Sequence, residues 1–491
     1  MKNISLLFIV TILLLSGCSK DFLIEEPESF ITAEKLFTSQ SGALAGLNAT
    51  YASLKNFRNS GRAMLVGVVG TDEGQLGIDE AGATDRLALD AYDGNLNQFT
   101  PAIAQLWRVC YQGISRANAV IQNVPAINMD ETLKKRIMAE ASFIRALNYF
   151  WAVQLFGNVP IITTVITDAD NYNYPRQNVE LVYKLIIEDL TIAETDLPEA
   201  DAYTGNNRGR ASKGAAKALL GKVYLSAPVP IRDFVKAEIK LKEVVVSNKY
   251  ILLPNFADVF DVTKENNAES VFEVQFISPD QTNNMSFCTG SRAVPDNILG
   301  GGFAWFIPTD YLFNLYDTGD VRKSVTFRTQ FFRASGQLIT SAANPEHIKP
   351  HVRKFEDPTA RPANAVGKNT YIIRYADVVL MYAEALNEQG KTGDAIVEFN
   401  KIRNRAAILP AGTLNQGALR DAILTERMKE LAFEGWRWYD LKRTGKLVEL
   451  AKLHNPRAKA NISAKNNLFP IPLSEINNND GIKPTDQNPG Y

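Results

Sequence analysis

The chain has 491 residues, of which 45% are hydrophobic and 22% are charged, and this is the composition of an ordinary globular protein. Its 53 basic and 54 acidic side chains give a formal net charge of −1. This balance excludes bulk electrostatic attraction as a reason for holding nucleic acid, so we expect no nucleic-acid partner.

The N-terminus has the pattern of a bacterial export signal. Lys2 precedes an apolar run at residues 6–15, whose length is typical of a signal-peptide core and too short to span a bilayer. The run ends in Leu15-Ser16-Gly17-Cys18, which resembles the lipobox of bacterial lipoproteins. The resemblance implies that residues 1–17 form a signal peptide and that Cys18 receives the acyl chains, palmitate among them, that anchor the protein to membrane lipid. The alternative is an ordinary secreted protein in which Cys18 is incidental.

Helical periodicity covers much of the chain up to residue 250. The predicted helices span residues 30–54, 101–124, 132–156, 178–197, 211–226 and 234–247. The helix at 132–156 is apolar on nearly all sides, so we place it deep in the core. Residues 72–100 interrupt the pattern with many Gly, Asp and Asn residues, which predicts a long functional loop.

The character of the chain changes between residues 251 and 370. Phe272, Val274 and Phe276 alternate with polar residues, which predicts a strand, and residues 325–336 predict a short hairpin. A second long loop carries three consecutive glycines shortly before Phe303 and Trp305.

Residues 371–443 hold the strongest helical pattern and are expected to organise the fold. Two amphipathic segments meet at Gly390 and Gly393, with Asp394 as the expected cap of the second, so they predict an antiparallel helix pair followed by a third helix. The fragments Leu220-Gly221-x-x-Tyr224 and Ala395-x-x-x-Phe399 resemble tetratricopeptide repeats. The sequence therefore predicts a mostly α protein built on stacked helix pairs.

Motifs spread over nearly the whole chain resemble one family, the SusD/RagB-type outer-membrane nutrient-binding lipoproteins. They are the lipobox, Glu140-Ala141-x-Phe143-Ile144-Arg145-Ala146, Phe156-Gly157-x-x-Pro160, Ile373-Arg374-Tyr375-Ala376-Asp377, Glu434-Gly435-x-Arg437-Trp438-Tyr439-Asp440 and Gln487-Asn488-Pro489-Gly490-Tyr491. The resemblance implies tetratricopeptide-like helix pairs packed against an irregular, loop-rich half with a few short strands. It also implies a lipid-anchored protein on the outer membrane, facing the exterior, that passes a glycan to a SusC-type TonB-dependent transporter. A peptide ligand, with the same fold and partner, is the alternative.

The expected organisation is one SusD-like domain at residues 18–491. Its parts are an N-terminal helical part at 18–250, which contains the loop at 72–100, a loop- and strand-rich ligand side at 251–370, and a C-terminal helical part with the tail at 371–491.

No motif in the chain specifies catalysis, so we expect a protein that is not an enzyme and needs no cofactor. Glu430 and Glu434 lie four residues apart, and a pair of carboxylates is what a glycosidase needs. Arginines are interleaved with them, which favours structural ion pairs over acid–base chemistry. A lipid-anchored glycosidase remains the less favoured alternative.

Histidine and cysteine usage does not favour metal or redox chemistry. His347 and His351 have helical spacing, but Pro350 between them disfavours a helix, and we expect no metal site. Cys110 and Cys288 are expected to be inert, although an oxidising compartment would permit a disulfide between them.

Glycan binding requires flat aromatic faces for the C–H side of a sugar, and amides or guanidinium groups for its hydroxyl rim. Both predicted loops supply such groups. The candidate glycan contacts are Arg86, Tyr92, Asn95, Asn297, Phe303 and Trp305. For Trp305 the alternative is a core side chain, and for Tyr92 it is an anchor that holds the loop to the protein.

Overall fold

A computed structural model describes residues 32–58, 62–80, 82–167, 171–291, 302–333, 335–342, 344–357 and 365–491. The expected signal peptide and Cys18 lie outside the described residues. The helices of the described part are α1 (Ala33–Leu36), α2 (Gln40–Arg58), α3 (Arg62–Val68), α4 (Thr84–Ala91), α5 (Pro101–Asn123), α6 (Glu131–Phe156), α7 (Val179–Asp196), α8 (Lys213–Ser226), α9 (Phe234–Val245), α10 (Phe256–Val259), α11 (Met285–Thr289), α12 (Asp310–Leu315), α13 (Val321–Thr326), α14 (Tyr375–Glu388), α15 (Thr392–Arg405), α16 (Gln416–Glu430), α17 (Arg437–Arg443), α18 (Leu447–His454) and α19 (Leu473–Asn478). The strands are β1 (Gly74–Leu76), β2 (Val159–Pro160), β3 (Arg176–Gln177), β4 (Ser270–Val274), β5 (Phe306–Pro308), β6 (Phe327–Arg328), β7 (His351–Val352) and β8 (Thr370–Arg374).

The long helices pack in a continuous stack. Helix α2 packs on α5, and α5 through α8 each pack on the next helix in the chain. Helix α9 then packs on α14, which also contacts α15 and α16. The prediction of a mostly α protein with stacked helix pairs is therefore confirmed.

Helix α6 lies at the centre of this stack. Asp130 caps its start by accepting a hydrogen bond from the Leu133 backbone N–H at 2.7 Å. Every residue from Ala139 to Phe156 is buried, as the all-round apolar pattern predicted. Gly157 ends the helix with a φ of +72°, a conformation that favours glycine.

The pair α14 and α15 forms the expected antiparallel hairpin. Gly390 supplies the turn with a φ of +77°. The expected cap is wrong, because Lys391 occupies the N-cap position of α15 and Asp394 lies in the first turn of the helix. A negative charge there still favours the positive end of the helix dipole.

The strands form two-stranded units, all antiparallel: β1 with β5, β2 with β3, β4 with β8, and β6 with β7. The pairing of β4 with β8 confirms the strand predicted around Phe272 and joins it to the segment that enters α14. The pairing of β1 with β5 brings together the two segments that the sequence predicts as functional loops.

Two local predictions were only partly right. Residues 72–100 are not an uninterrupted loop, because they contain β1, a 3₁₀ turn at Ile78–Glu80 and helix α4. Ala88 and Leu89 of α4 are buried, so a short apolar face holds this segment to the protein. The hairpin predicted at 325–336 is present at its turn, where Phe332 pairs with Leu338 and the Ile339 N–H donates to the Phe331 carbonyl at 2.8 Å. Its first part was wrong, because residues 325 and 326 belong to α13 and strand β6 pairs with β7.

None of the helices in the described ranges combines the length and the hydropathy that crossing a bilayer requires.

Candidate functional site

The two predicted loops meet at the β1–β5 ladder. Leu76 pairs with Phe306 and Gly74 pairs with Pro308. Just beyond the ladder, the Thr309 hydroxyl donates a hydrogen bond to the Asp72 carbonyl oxygen at 2.6 Å. This contact fixes the register in which residues 302–309 lie along residues 72–77.

A second set of backbone hydrogen bonds places residues 302–305 against α11. The Phe303 N–H donates to the Phe287 carbonyl at 2.8 Å, and the Trp305 N–H donates to the Cys288 carbonyl at 2.6 Å. Gly302 permits this close approach, because a Cβ there would lie 2.2 Å from the Gly290 carbonyl oxygen. The backbone on both sides of Trp305 is therefore fixed by the fold.

These contacts assemble three aromatic side chains, here called the aromatic row: Phe287, Phe303 and Trp305. The Phe287 and Phe303 rings meet edge to face, with centroids 4.5 Å apart and planes at 70°. Phe303 and Trp305 are close to parallel, with centroids 6.2 Å apart and planes at 21°. All three side chains are half-buried, so each keeps some ring surface open.

Arg86 joins the row from helix α4. Its guanidinium carbon lies 4.9 Å from the centre of the Trp305 ring, in cation–π geometry. The same guanidinium forms an ion pair with the buried Glu80 carboxylate. Its Nε atom is buried and makes no hydrogen bond within the described part of the chain. The guanidinium is thus held in a fixed plane against the Trp305 ring.

Cys288 lies behind the row and takes no part in its chemistry. Burial raises the pKa of the Cys288 thiol to about 12, although the positive charge of Arg86 opposes the shift. The thiol therefore stays protonated at neutral pH, and a protonated thiol is a poor nucleophile. Cys110 is also free and buried in the structure. That both cysteines are inert stays a prediction.

The remaining sequence candidates lie elsewhere. Tyr92 is only 2% exposed and belongs to the main hydrophobic core, so its assignment as a ligand contact is wrong and the loop-anchor alternative is right. Asn95 is exposed in a turn, where its side chain donates to Asp93 Oδ2 at 3.3 Å. The row does not include it. Asn297 lies outside the described residues.

Asp72, which opens the first predicted loop, has a structural role. Its carboxylate accepts two hydrogen bonds from Arg437, at 2.7 and 2.6 Å, and both side chains are buried. The adjacent carboxylate of Glu73 accepts from the Phe433 N–H at 3.0 Å. These contacts tie the segment that leads into β1 to the scaffold around α17.

The paired carboxylates Glu430 and Glu434 belong to a buried ion-pair network. Arg374 donates to Glu430 Oε1 at 2.5 Å and to Glu434 Oε2 at 2.9 Å. Burial opposes ionisation of Glu430, but Arg405, Arg374 and Arg322 outweigh it and hold its pKa well below the usual range. A catalytic acid needs the opposite shift, so the geometry favours the structural reading of this pair.

The sequence alone did not identify Phe287 or Glu80 as part of the site. Helix α11 has only five residues, which is too short to show a periodic pattern. Glu80 was one of several acids in a polar stretch, and its pairing with Arg86 depends on the 3₁₀ turn that precedes α4. Within the described ranges, no three His, Cys, Asp or Glu side chains are grouped as metal ligands would be.

Two family models and several known proteins match this chain. Residues 323–491 match the model of the SusD family, and residues 64–225 match a family described as starch-binding associating with outer membrane. SusD-like protein P2 of Formosa agariphila is 30% identical, over 100% of both chains. Starch-binding protein SusD of Bacteroides thetaiotaomicron is 25% identical, over 77% of this chain and 76% of its own.

A solved structure of a laminarin-binding SusD-like protein has the same fold. It superposes with a TM-score of 0.78 at 29% identity, and the match covers 92% of this chain and 100% of the other. The expected family is thereby confirmed from full-length similarity, from two family models and from the fold. The chain belongs to the SusD/RagB family.

Proposed function

We propose that this protein binds an oligosaccharide at the aromatic row, with Arg86 beside it, and delivers the glycan to a SusC-type TonB-dependent transporter. The observation that carries the proposal is the alignment of Phe303 and Trp305, whose half-buried rings lie at 21° to each other. Nearly parallel rings at this spacing offer stacking surfaces to neighbouring sugar units.

Arg86 supplies the polar half of such a site. A sugar stacked on the aromatic row beside Arg86 would present its hydroxyl rim to the guanidinium, whose carbon lies 4.9 Å from the centre of the Trp305 ring. The planar fork of arginine is suited to paired hydrogen bonds with adjacent oxygens. Because Glu80 holds the guanidinium in place, less side-chain entropy would be lost on binding.

The relatives support a glycan as the ligand class. One is named as a starch-binding protein and one solved structure as laminarin-binding. Binding through a few stacked rings and hydroxyl contacts corresponds to micromolar to millimolar affinity, or about −8 to −4 kcal/mol. No covalent step is part of the proposal.

Membrane attachment through acylated Cys18, with the protein facing the cell exterior, completes the proposed role. A description of association with the outer membrane accompanies the family match at residues 64–225. Two or more acyl chains would hold the protein at the membrane without a spanning helix, and a bound glycan would then be close to a transporter in the same membrane.

The proposal is tested by calorimetric titration of the full chain in detergent with a panel of malto-, laminari- and xylo-oligosaccharides. At least one is expected to give saturable heat. If all give none and a peptide mixture binds, the peptide alternative replaces the glycan. Hydrolysis of a labelled oligosaccharide that is abolished by Glu430→Gln would establish the glycosidase alternative instead.

A further inference from the structure

A second cleft, distinct in its lining from the aromatic row, lies where the loop at residues 200–212 meets helix α2 and strand β4. One part has a volume of about 200 Å³ and is lined by residues of all three elements. A neighbouring part of about 540 Å³ shares Arg208, Gly209 and Arg210 with it. Together they are in the size range of small-molecule sites. We call this the basic cleft; the side chains used below are Asn48, Tyr51, Lys55, Asn206, Arg208 and Gln275.

Two cations of this cleft have no anionic partner among the residues that the structure describes. Arg208 is exposed and forms no ion pair with any residue that the structure describes. Lys55 is half-buried; its Nζ donates to the neutral amide of Gln281 at 2.8 Å and has no carboxylate partner in the described ranges. Desolvation lowers the pKa of Lys55. An anion entering the cleft would meet both cations and relieve this cost.

The carboxylates near the cleft do not neutralise these cations. Glu140 accepts from Arg210 at 3.0 Å and from the Tyr51 hydroxyl at 2.6 Å. Glu273 is buried and accepts hydrogen bonds from the Asn266 N–H at 2.7 Å and the Asn369 side-chain amide at 3.0 Å. Asp201 on the outer part pairs with Lys249 at 2.5 Å. The lining is therefore net positive.

The walls of the cleft are held in place by hydrogen bonds. The Ala211 N–H donates to the Tyr51 hydroxyl at 2.9 Å, and Arg210 covers the Tyr51 ring with its guanidinium carbon 5.4 Å from the centre. Gly209 has a φ of +82°, and a Cβ there would lie 2.3 Å from the Gln275 amide nitrogen. This site is thus built by the fold and does not depend on one mobile surface charge.

The uncharged lining is of the kind that binds sugars. The exposed Asn48 and Asn206 offer amides that both donate and accept, and the half-buried Tyr51 offers the ring surface that Arg210 leaves open. A simple inorganic anion would use only the cations. We propose that the basic cleft binds the carboxylate or sulfate groups of an acidic saccharide, with its rings and hydroxyls on Tyr51 and the amides.

The test is calorimetric titration of the full chain in detergent with tetragalacturonate as the acidic probe and maltotetraose as the neutral one. The variants are Arg208→Gln and the double variant Lys55→Gln/Arg208→Gln. Lys452→Gln, on the exposed face of α18, is the matched control for loss of one positive charge. Melting temperatures verify that each variant is folded.

The double variant is expected to lose at least about tenfold more affinity for tetragalacturonate than for maltotetraose, which corresponds to about one charge-assisted hydrogen bond. Lys452→Gln is expected to change neither affinity. Raising the salt concentration from about 50 mM to about 500 mM should lower the affinity of the wild type for tetragalacturonate, because salt screens the charges of the two cations.

Several outcomes would overturn the proposal. One is that tetragalacturonate shows no saturable binding. Another is that the double variant binds tetragalacturonate as tightly as the wild type does. A third is that Lys452→Gln loses as much affinity for tetragalacturonate as the double variant does. Sodium sulfate that binds as tightly as tetragalacturonate would reduce the cleft to an anion site with no role for the sugar. A double variant that keeps its saccharide affinities but no longer co-purifies with a membrane protein would make the cleft a protein-docking surface. Because the neutral-glycan panel is the test of the aromatic row, the two proposals can fail independently.

Discussion

Arg437 donates two hydrogen bonds to the Asp72 carboxylate, from Nε to Oδ1 at 2.7 Å and from Nη2 to Oδ2 at 2.6 Å, and the two residues lie 365 positions apart in the chain. The contact joins α17, in the C-terminal scaffold, to the segment that enters β1. Strand β1 in turn pairs with β5, directly after Trp305. The helical scaffold is thus connected to the aromatic row through one buried ion pair and one short ladder.

Asp72→Asn is expected to destabilise the protein by about 3–5 kcal/mol, because it leaves the buried Arg437 cation without its counter-charge. Thermal or urea unfolding measures the loss. The matched control is Lys184→Gln, which breaks the exposed pair of Lys184 with Glu188 at 3.9 Å and is expected to cost at most about 0.5 kcal/mol. If Asp72→Asn were as stable as the wild type, the Asp72–Arg437 ion pair would not stabilise the fold.

Lys368→Met is expected to change how stability depends on pH. Desolvation lowers the pKa of Lys368 to about 8 in the folded protein, with nearby carboxylates such as Asp357 opposing the shift, against about 10.4 for an unfolded chain. Between these values the unfolded chain binds more protons, so this lysine makes the wild type more stable as pH rises from about 8 to about 10.

The measurement for Lys368 is the difference in melting temperature between the wild type and Lys368→Met at several pH values. Between about pH 8 and pH 10, the melting temperature of the wild type should rise relative to that of the variant. Lys452→Met, at an exposed lysine, should show a constant difference over the same range. A constant difference for Lys368→Met as well would show that its pKa is not lowered.

Arg86→Gln is expected to weaken binding of the preferred glycan about tenfold, since an arginine contact to a polar ligand is worth about 1.5–3 kcal/mol. Glutamine keeps a donor for Glu80 and limits the structural damage. Arg86→Lys should not restore affinity, because an ammonium lacks the planar fork. Arg108→Gln, at an exposed arginine of α5, serves as the control in the same calorimetric titration. Wild-type affinity in a folded Arg86→Gln protein would place the ligand elsewhere.

Cys18→Ala is expected to abolish incorporation of labelled palmitate and to release the protein from the membrane fraction. The physical reason is that the acyl chains on this residue are the proposed anchor. Cys110→Ala and Cys288→Ala are poor controls because both thiols are buried, so the wild type itself is the reference. Continued membrane attachment of Cys18→Ala would point to a different anchor.

The sequence predicts the helical scaffold well because its information is local. The helix predicted at 132–156 is observed as α6, Glu131–Phe156, one residue longer at its start. The turn predicted at Gly390 is likewise observed between α14 and α15. Glycines and the helical period act within a few residues, so one sequence is enough to locate the helices, although the cap predicted at Asp394 was wrong.

The candidate site was predicted only in part because it depends on contacts between distant segments. Tyr92 and Trp305 both follow glycine-rich polar stretches and look alike in the sequence. Tyr92 is buried, and a segment of the C-terminal part packs beside it, where the Asn461 side chain donates to the Ala91 carbonyl at 3.0 Å. Trp305 is held by α11 and β1 and remains half-buried. No local sequence pattern shows that Tyr92 is buried and that Trp305 stays partly exposed.

The most direct test of glycan binding at the aromatic row is the affinity of Trp305→Ala for whichever glycan binds the wild type most tightly. Phe99→Ala is the control, because Phe99 is 67% exposed and is not one of the three rings of the aromatic row. We predict that Trp305→Ala loses at least about tenfold in affinity, or about 1.4 kcal/mol, while Phe99→Ala binds like the wild type. A Trp305→Ala protein that melts at the wild-type temperature and binds the glycan with wild-type affinity would contradict the account.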